Sequence, residues 1–261
     1  MKSIACSLMI ISFVVGMALT ASALDAPKDL VLYLPFDEGA GTDAKDLSNN
    51  AYKAKLNGGA KFSKEGAPNF GGGAEMVGGS SHVAVDKFNA DPIKAANAIT
   101  IGAWFKKVKH TDYDGIVGIE LPAVGECCDF RLMVNPGQLD FWNMGFHTDH
   151  TGTFKFDLNK WYHYAMAYDG KDTHIYVDGK EVDKSTEGIK LPGTEGIFYV
   201  GTGESPGTWA MEGGIIDEVF AFSRELSAND LKDVIANGAF PQAVDAKAKL
   251  ATTWSAIKTR F

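Results

Sequence analysis

The segment from Trp161 to Val182 constrains the fold more than any other. Trp161-Tyr162-His163-Tyr164-Ala165-Met166-Ala167-Tyr168 is apolar on both faces, the pattern of an interior strand. Asp169-Gly170-Lys171 is a hairpin turn, and Thr173-His174-Ile175-Tyr176-Val177 comes back from it. Asp178-Gly179 then turns the chain again into Lys180-Glu181-Val182, because Asp-Gly supplies the backbone twist that tight hairpins need.

The same grammar runs through most of the chain. Leu30 to Phe36 reads as a strand with Leu30, Leu32 and Leu34 on one face. Further strands are expected at His82–Val85, Ala98–Lys106, Gly115–Ile119, Phe130–Val134, Gln138–Trp142, Phe198–Gly201 and Ile215–Phe222. Asn135-Pro136-Gly137 is a turn signal between two of them. With 29 glycines, 9 prolines and 11% aromatic residues in 261, the composition fits many short strands and excludes collagen-like, coiled-coil and disordered chains. Helix is expected near the end, where Ser227-Ala228-Asn229-Asp230 resembles a capping box and Asn237-Gly238 is a stop. Residues 28–240 therefore read as one all-β unit, followed by a tail, 241–261, of helix-permissive composition.

The net charge of −8 weighs against a nucleic-acid partner, and no lysine or arginine run suits an anionic membrane. Residues 1–23 read as a signal peptide: Lys2, an apolar run from Ile4 to Leu19, then Ala21-Ser22-Ala23 as the cleavage site. The alternative is an uncleaved anchor. No second apolar run is long enough to span a bilayer, so the expectation is a secreted, periplasmic or cell-surface protein. Beyond Cys6 the chain has Cys127 and Cys128, adjacent in sequence. They are either a strained vicinal disulfide, which an oxidising compartment permits, or two free thiols.

Four segments together carry a family resemblance: Leu34–Gly41 (LPFDEGAG), Ala98–Lys106 (AITIGAWFK), Trp161–Val182 and Ile215–Leu231 (IIDEVFAFSRELSANDL). In this order and spacing the chain resembles laminin G-like, concanavalin A-like jelly-roll proteins of the bacterial secreted type. The resemblance implies an all-β, two-sheet antiparallel jelly-roll sandwich of six or seven strands per sheet, with a short C-terminal helical segment. It also implies carbohydrate or other surface ligands, and often one structural calcium. Two stretches depart from the usual pattern: Asn49 stands where such proteins often have glycine, and Asp112 to Glu126 is unlike the common type.

Calcium takes six to eight hard oxygens. In proteins that this one resembles, an acid after the first strand meets an acid on the last, and Asp37 and Asp217 match those positions. Carbonyls near Gly79 or Ser80 are the expected supplement. The bland alternative is a turn-starting Asp37 and a solvated Asp217. A glycosidase needs two carboxylates about 5–10 Å apart. Sandwich enzymes of the laminarinase type place them on one strand at alternating positions. Here Asp217 and Glu218 are adjacent, which in a regular strand sends them to opposite faces, and Glu120 stands alone. No nucleophile elbow or zinc helix motif occurs. The His147-Thr148-Asp149-His150 and His110-Thr111-Asp112-Tyr113-Asp114 clusters read as solvated loops.

Sugar recognition stacks C–H faces on aromatic rings and adds polar groups for hydroxyls. Trp104 and Trp161 lie inside strong strands and read as core. Trp209, after a Gly203–Thr208 loop, is the first ligand-binding candidate, followed by Trp142 and by Tyr113 with Asp112. The expectation is an exported, non-catalytic binding protein, with carbohydrate as ligand and calcium as a structural cofactor. The alternatives are an adhesive protein that contacts other proteins at the cell surface, and a glycoside hydrolase.

Overall fold

The structure is a computed structural model and describes residues 25–109, 111, 113–120, 130–135, 138–143, 146–148, 154–191, 195–203 and 205–240. Asp25–Gln242 form one compact unit. The expected signal peptide, the tail 241–261, Asp112 and the Cys127–Cys128 pair lie outside the described residues.

The strands run β1 (Leu30–Leu34), β2 (Asp43–Lys45), β3 (Lys53–Asn57), β4 (Lys61–Ser63), β5 (Gly73–Met76), β6 (His82–Asn89), β7 (Ile99–Lys107) and β8 (Asp114–Glu120). They continue with β9 (Phe130–Asn135), β10 (Gln138–Asn143), β11 (Phe146–Thr148), β12 (Trp161–Tyr168), β13 (Thr173–Val177), β14 (Lys180–Ser185), β15 (Glu195–Val200) and β16 (Gly214–Phe222). A short helix, α1 (Asp91–Ala96), precedes β7, and α2 (Ala228–Asn237) follows β16. The first sheet has the order β14-β13-β12-β7-β16-β5-β4, with β1 also on β16, and the second β11-β10-β9-β8-β15-β6-β3-β2. Every pairing is antiparallel. This is the expected jelly-roll sandwich, with eight strands per sheet.

The core lies between the sheets. Leu32, Ile101, Phe105, Met166 and Val219 of the first meet Val85, Leu132, Phe141 and Phe198 of the second. Alternation along each strand sends the other side chains outward. On the first sheet that outer face is also buried, because α2 lies on it. Leu231 and Val234 pack with Tyr33, Ala165, Phe220 and Phe222. Both faces of β12 are thus covered, as its sequence required. The helix begins at Ser227, whose side chain accepts from Asp230 N–H while the Asp230 carboxylate accepts from Ser227 N–H, a full capping box.

Three local expectations are corrected. Leu30 does not share a face with Leu32 and Leu34: the pairing of β1 shifts register between Leu30 and Leu32, and Leu30 joins the outer cluster. Helix α1 was not visible in hydrophobic period, since its six residues bury only Ile93. The strand at His82 runs on to Asn89.

Candidate functional site

Two clusters carry chemistry. The first lies where β16 changes neighbours. Its start pairs with β5 at Gly214 to Ile216, and its end with β1 at Val219 to Phe222. Between them its register against β7 shifts, and Glu218 has φ 51°. A bulge therefore interrupts the alternation. Asp217 and Glu218 do not point to opposite faces as expected; the bulge leaves both on the outer side. Glu218 accepts from the Tyr33 hydroxyl, and Tyr33 belongs to the outer cluster.

Asp217 accepts from Ala67 N–H at 2.8 Å and from Glu218 N–H at 2.8 Å, and Asp37 accepts from Gly72 N–H at 2.9 Å. Burial raises Asp217 to about 7, with the charge of Asp37 adding to it. Burial likewise raises Glu218 to about 8, and Asp217 and Asp37 both contribute. Among the described residues no lysine or arginine pairs with these three acids.

Glycines let the backbone close in on the acids. A Cβ on Gly71 would stand 2.2 Å from Asp37 Oδ1. One on Gly66 would stand 2.6 Å from the carbonyls of Gly71 and Gly72 and 2.9 Å from Asp217 Oδ2. Asp37 and Asp217 are thus brought to one place, and the carbonyls beside them are those of Gly71 and Gly72. Ser80 belongs elsewhere: its carbonyl closes on Gly58 and contacts His82 Nδ1 at 2.7 Å. A buried Asp217, an exposed Asp37 and neighbouring carbonyls are the hard-oxygen donor chemistry that calcium takes.

The second cluster is on the outer face of the second sheet. Phe130, Leu132, Val134, Leu139 and Phe141 face the core, so Arg131 and Met133 of β9 and Trp142 of β10 face outward. Arg131 and Trp142 are cross-strand partners. The loop after β15 lies close against them. Gly203 N–H donates to Thr208 O, Thr202 Oγ1 donates to Thr208 O, and Gly115 N–H donates to Trp209 O at 2.8 Å. A Cβ on Gly115 would stand 2.2 Å from the Thr202 carbonyl carbon, and one on Gly203 would stand 2.9 Å from the Trp209 ring. Both glycines are needed for the loop to approach β8 and seat the indole.

The Arg131 guanidinium lies 4.6 Å from the Trp209 ring centre, a cation–π contact that fixes the ring from beneath. Tyr113, Met133, Trp142 and Trp209 line one cleft of about 180 Å³. Tyr113 and Trp209 are 38% and 37% exposed, and Trp142 is half-buried. Both exposed aromatics have left-handed backbones, φ 54° and 48°, uncommon for bulky residues and concentrated at ligand sites. Three of the expected ligand-binding residues thus converge, although Tyr113, Trp142 and Trp209 lie on separate stretches of chain. Sequence reasoning missed Met133 and Arg131; the alternation of β9 was the signal for both.

A third group, Asp169, Asp172 and His174, sits at the expected hairpin: Asp169-Gly170-Lys171 is the turn between β12 and β13, and His174 belongs to β13. Asp169 accepts from the N–H groups of Lys171 and Asp172, and Lys184 holds Asp172 at 2.8 Å.

Two antiparallel sheets around one core, with an aromatic cleft on one outer face, define a jelly-roll protein of the lectin-like class. Residues 77–232 match the laminin G-like family model described as the concanavalin A-like lectin/glucanases superfamily, and the chain belongs to that family. No curated protein matches the chain. Among solved structures, Trypanosoma rangeli sialidase superposes with a TM-score of 0.58 at 18% identity, over 79% of this chain and 32% of its own. The binding domain of botulinum neurotoxin DC in complex with SialylT gives 0.59 at 15% identity, over 80% and 51%. The receptor binding domain of a botulinum neurotoxin C/D mosaic serotype gives 0.58 at 14%, over 80% and 51%.

The chain spans about a third of the sialidases and half of the toxin chains, and at these identities the likeness is one of fold. It corrects the expectation that the protein is not an enzyme. The same fold is part of sialidase chains, so the lack of an alternating acid strand gives no ground for that exclusion.

Proposed function

We propose that this is an exported carbohydrate-binding protein whose ligand stacks in the Tyr113–Trp142–Trp209 cleft. The convergence of these three aromatics is the observation that carries the reading. Aromatic rings supply apolar area with little ordering cost, and the cleft is smaller than the pockets of roughly 300–1,000 Å³ that enclose drug-sized ligands, a size that suits one sugar ring. Family membership supports the ligand class, as does the SialylT bound to one similar structure. Calcium held by Asp37 and Asp217, with the glycine carbonyls beside them, would brace the junction of β1, β5 and β16. Its chemistry there would be to neutralise the buried Asp217 and the exposed Asp37 together. Export follows from the leader read in residues 1–23.

The test is a glycan array with the parent chain and Trp209→Ala. The variant is expected to lose at least tenfold in affinity, about 1.4 kcal/mol, with an unchanged circular dichroism spectrum. Equal binding by the variant removes Trp209 as the platform. An array without hits turns the reading towards a protein ligand at the cell surface. Product release from bound glycans, measured alongside, would show turnover.

A further inference from the structure

Resting on that cleft as the ligand site, we propose that Asp114 is its positioning residue: one buried carboxylate fixes the Tyr113 wall and the Trp209 wall relative to each other. Three consecutive residues divide the task. Tyr113 lines the cleft, Asp114 is buried behind it, and Gly115 N–H donates to Trp209 O at 2.8 Å. The two oxygens of Asp114 go separate ways. Oδ1 accepts from Glu212 N–H at 3.0 Å, and Oδ2 meets Lys107 Nζ and the Thr111 hydroxyl. The stretch from Trp209 to Glu212 is thus tied at both ends to adjacent residues of β8. Between the two ties, Met211 N–H donates to Gly201 O at 2.9 Å.

Both exposed aromatics need such anchors. Tyr113 and Trp209 have φ 54° and 48°, conformations that persist only where the surroundings over-determine them. Stability does not account for a carboxylate at this place, because a buried ion pair exchanged for apolar groups of similar volume is often no loss. Acceptor geometry does. Asp114→Leu beside Lys107→Met fills the same space but accepts nothing from Glu212 N–H. Asp114→Asn is isosteric and fails differently. Whichever way the amide turns, its NH2 faces a donor, Glu212 N–H on one side or Lys107 Nζ on the other. The ionised carboxylate serves both sides, and its charge strengthens each bond. Lys107 is held in turn: its carbonyl accepts from Asn159 N–H at 2.7 Å, and its ammonium donates to Thr111 Oγ1 at 3.0 Å.

The experiment compares the parent with Asp114→Asn and with the double variant Lys107→Met, Asp114→Leu, all labelled with fluorinated tryptophan. Trp209→Ala and Trp104→Phe assign two fluorine lines, one in the cleft and one against His163 on the outer face of the first sheet. Each protein is then titrated with the oligosaccharides that the parent retains on the glycan array. In both variants the Trp209 line is expected to move and the Trp104 line to hold. Affinity is expected to fall about tenfold or more, with the circular dichroism of the parent. A purely structural role for Asp114 moves both lines or neither, and either result overturns this inference. So does a folded variant that binds as the parent does, which leaves the carbohydrate reading standing. A parent that retains no oligosaccharide, with the Trp209 line alone displaced in the variants, overturns the carbohydrate reading and supports the role of Asp114. The isosteric Asp114→Asn decides the matter if the double variant does not fold.

Discussion

Asp217 and Glu218 are neighbours in sequence and side by side in space, and their environment makes each acid hold its proton to unusually high pH. Burial raises them to about 7 and about 8 from ordinary values of 3.8 and 4.5. An acid with a raised folded pKa stabilises the fold while protonated. That contribution is full near pH 4 and is lost as pH rises towards 7 and 8. The metal-free parent should therefore lose stability relative to Asp217→Asn across that window, on the order of a few kcal/mol. Urea unfolding of both proteins at pH 5 and pH 8 measures it; a parent that gains stability relative to Asp217→Asn as pH rises contradicts the assignment. Gly71→Ala tests the same place from the backbone side. A methyl 2.2 Å from Asp37 Oδ1 must displace that carboxylate, and calcium affinity should fall at least tenfold by titration calorimetry. At this scale the sequence reading named Asp37 and Asp217 through family likeness with carbonyls near Gly79 or Ser80, whereas the carbonyls beside these two acids are those of Gly71 and Gly72. Gly71 and Gly72 give no side-chain signal, so only the folded backbone puts them beside the acids.

Among the elements, β7 and β8 belong to different sheets and are joined by an ion pair. Lys107 Nζ contacts Asp114 Oδ2, both groups are 1% exposed, and Thr111 bonds to both. Asp114 Oδ1 also accepts from Glu212 N–H, on the segment that follows Trp209. Removing one buried partner leaves the other uncompensated, at a cost of about 3–5 kcal/mol. Lys107→Met should show that loss in denaturant, and Lys107→Met with Asp114→Leu should recover part of it. If the single variant unfolds like the parent, the pair is not a strut. The sequence reading ended one strand at Lys106 and placed Asp114 in a solvated loop; the structure corrects this, since Asp114 starts β8 and is buried against Lys107 at the end of β7. The strands themselves were legible wherever alternation or a hairpin turn marked them, as at Trp161–Val182. Where a bulge breaks alternation, at Leu30 and at Asp217, the period-two reading sends side chains to the wrong face. The register shift is set by the neighbouring strand, which local sequence does not display.

For the whole molecule, calcium binding to the native state alone would raise stability by about 2.7 kcal/mol at a hundred times Kd. For a unit of this size that is roughly 5–10 °C in Tm. A thermal shift on adding calcium to chelator-treated protein, absent in Asp217→Asn, is the expected outcome. No heat and no shift in the parent would remove calcium from the account. Among the described residues no helix is long and apolar enough to cross a membrane.

By itself the sequence determined the all-β class, the hairpins around β13, the capped C-terminal helix and the family, because these rest on local periods, turn chemistry and motif order. It also marked Trp209, Trp142 and Tyr113 as aromatics in excess of the core. Only the tertiary structure decided that those three meet in one cleft, with Arg131 spent on holding the platform. The pairing of β9 with β10, and the approach of the Trp209 loop to Gly115, join residues far apart in sequence, and no periodicity records which distant strands will be neighbours.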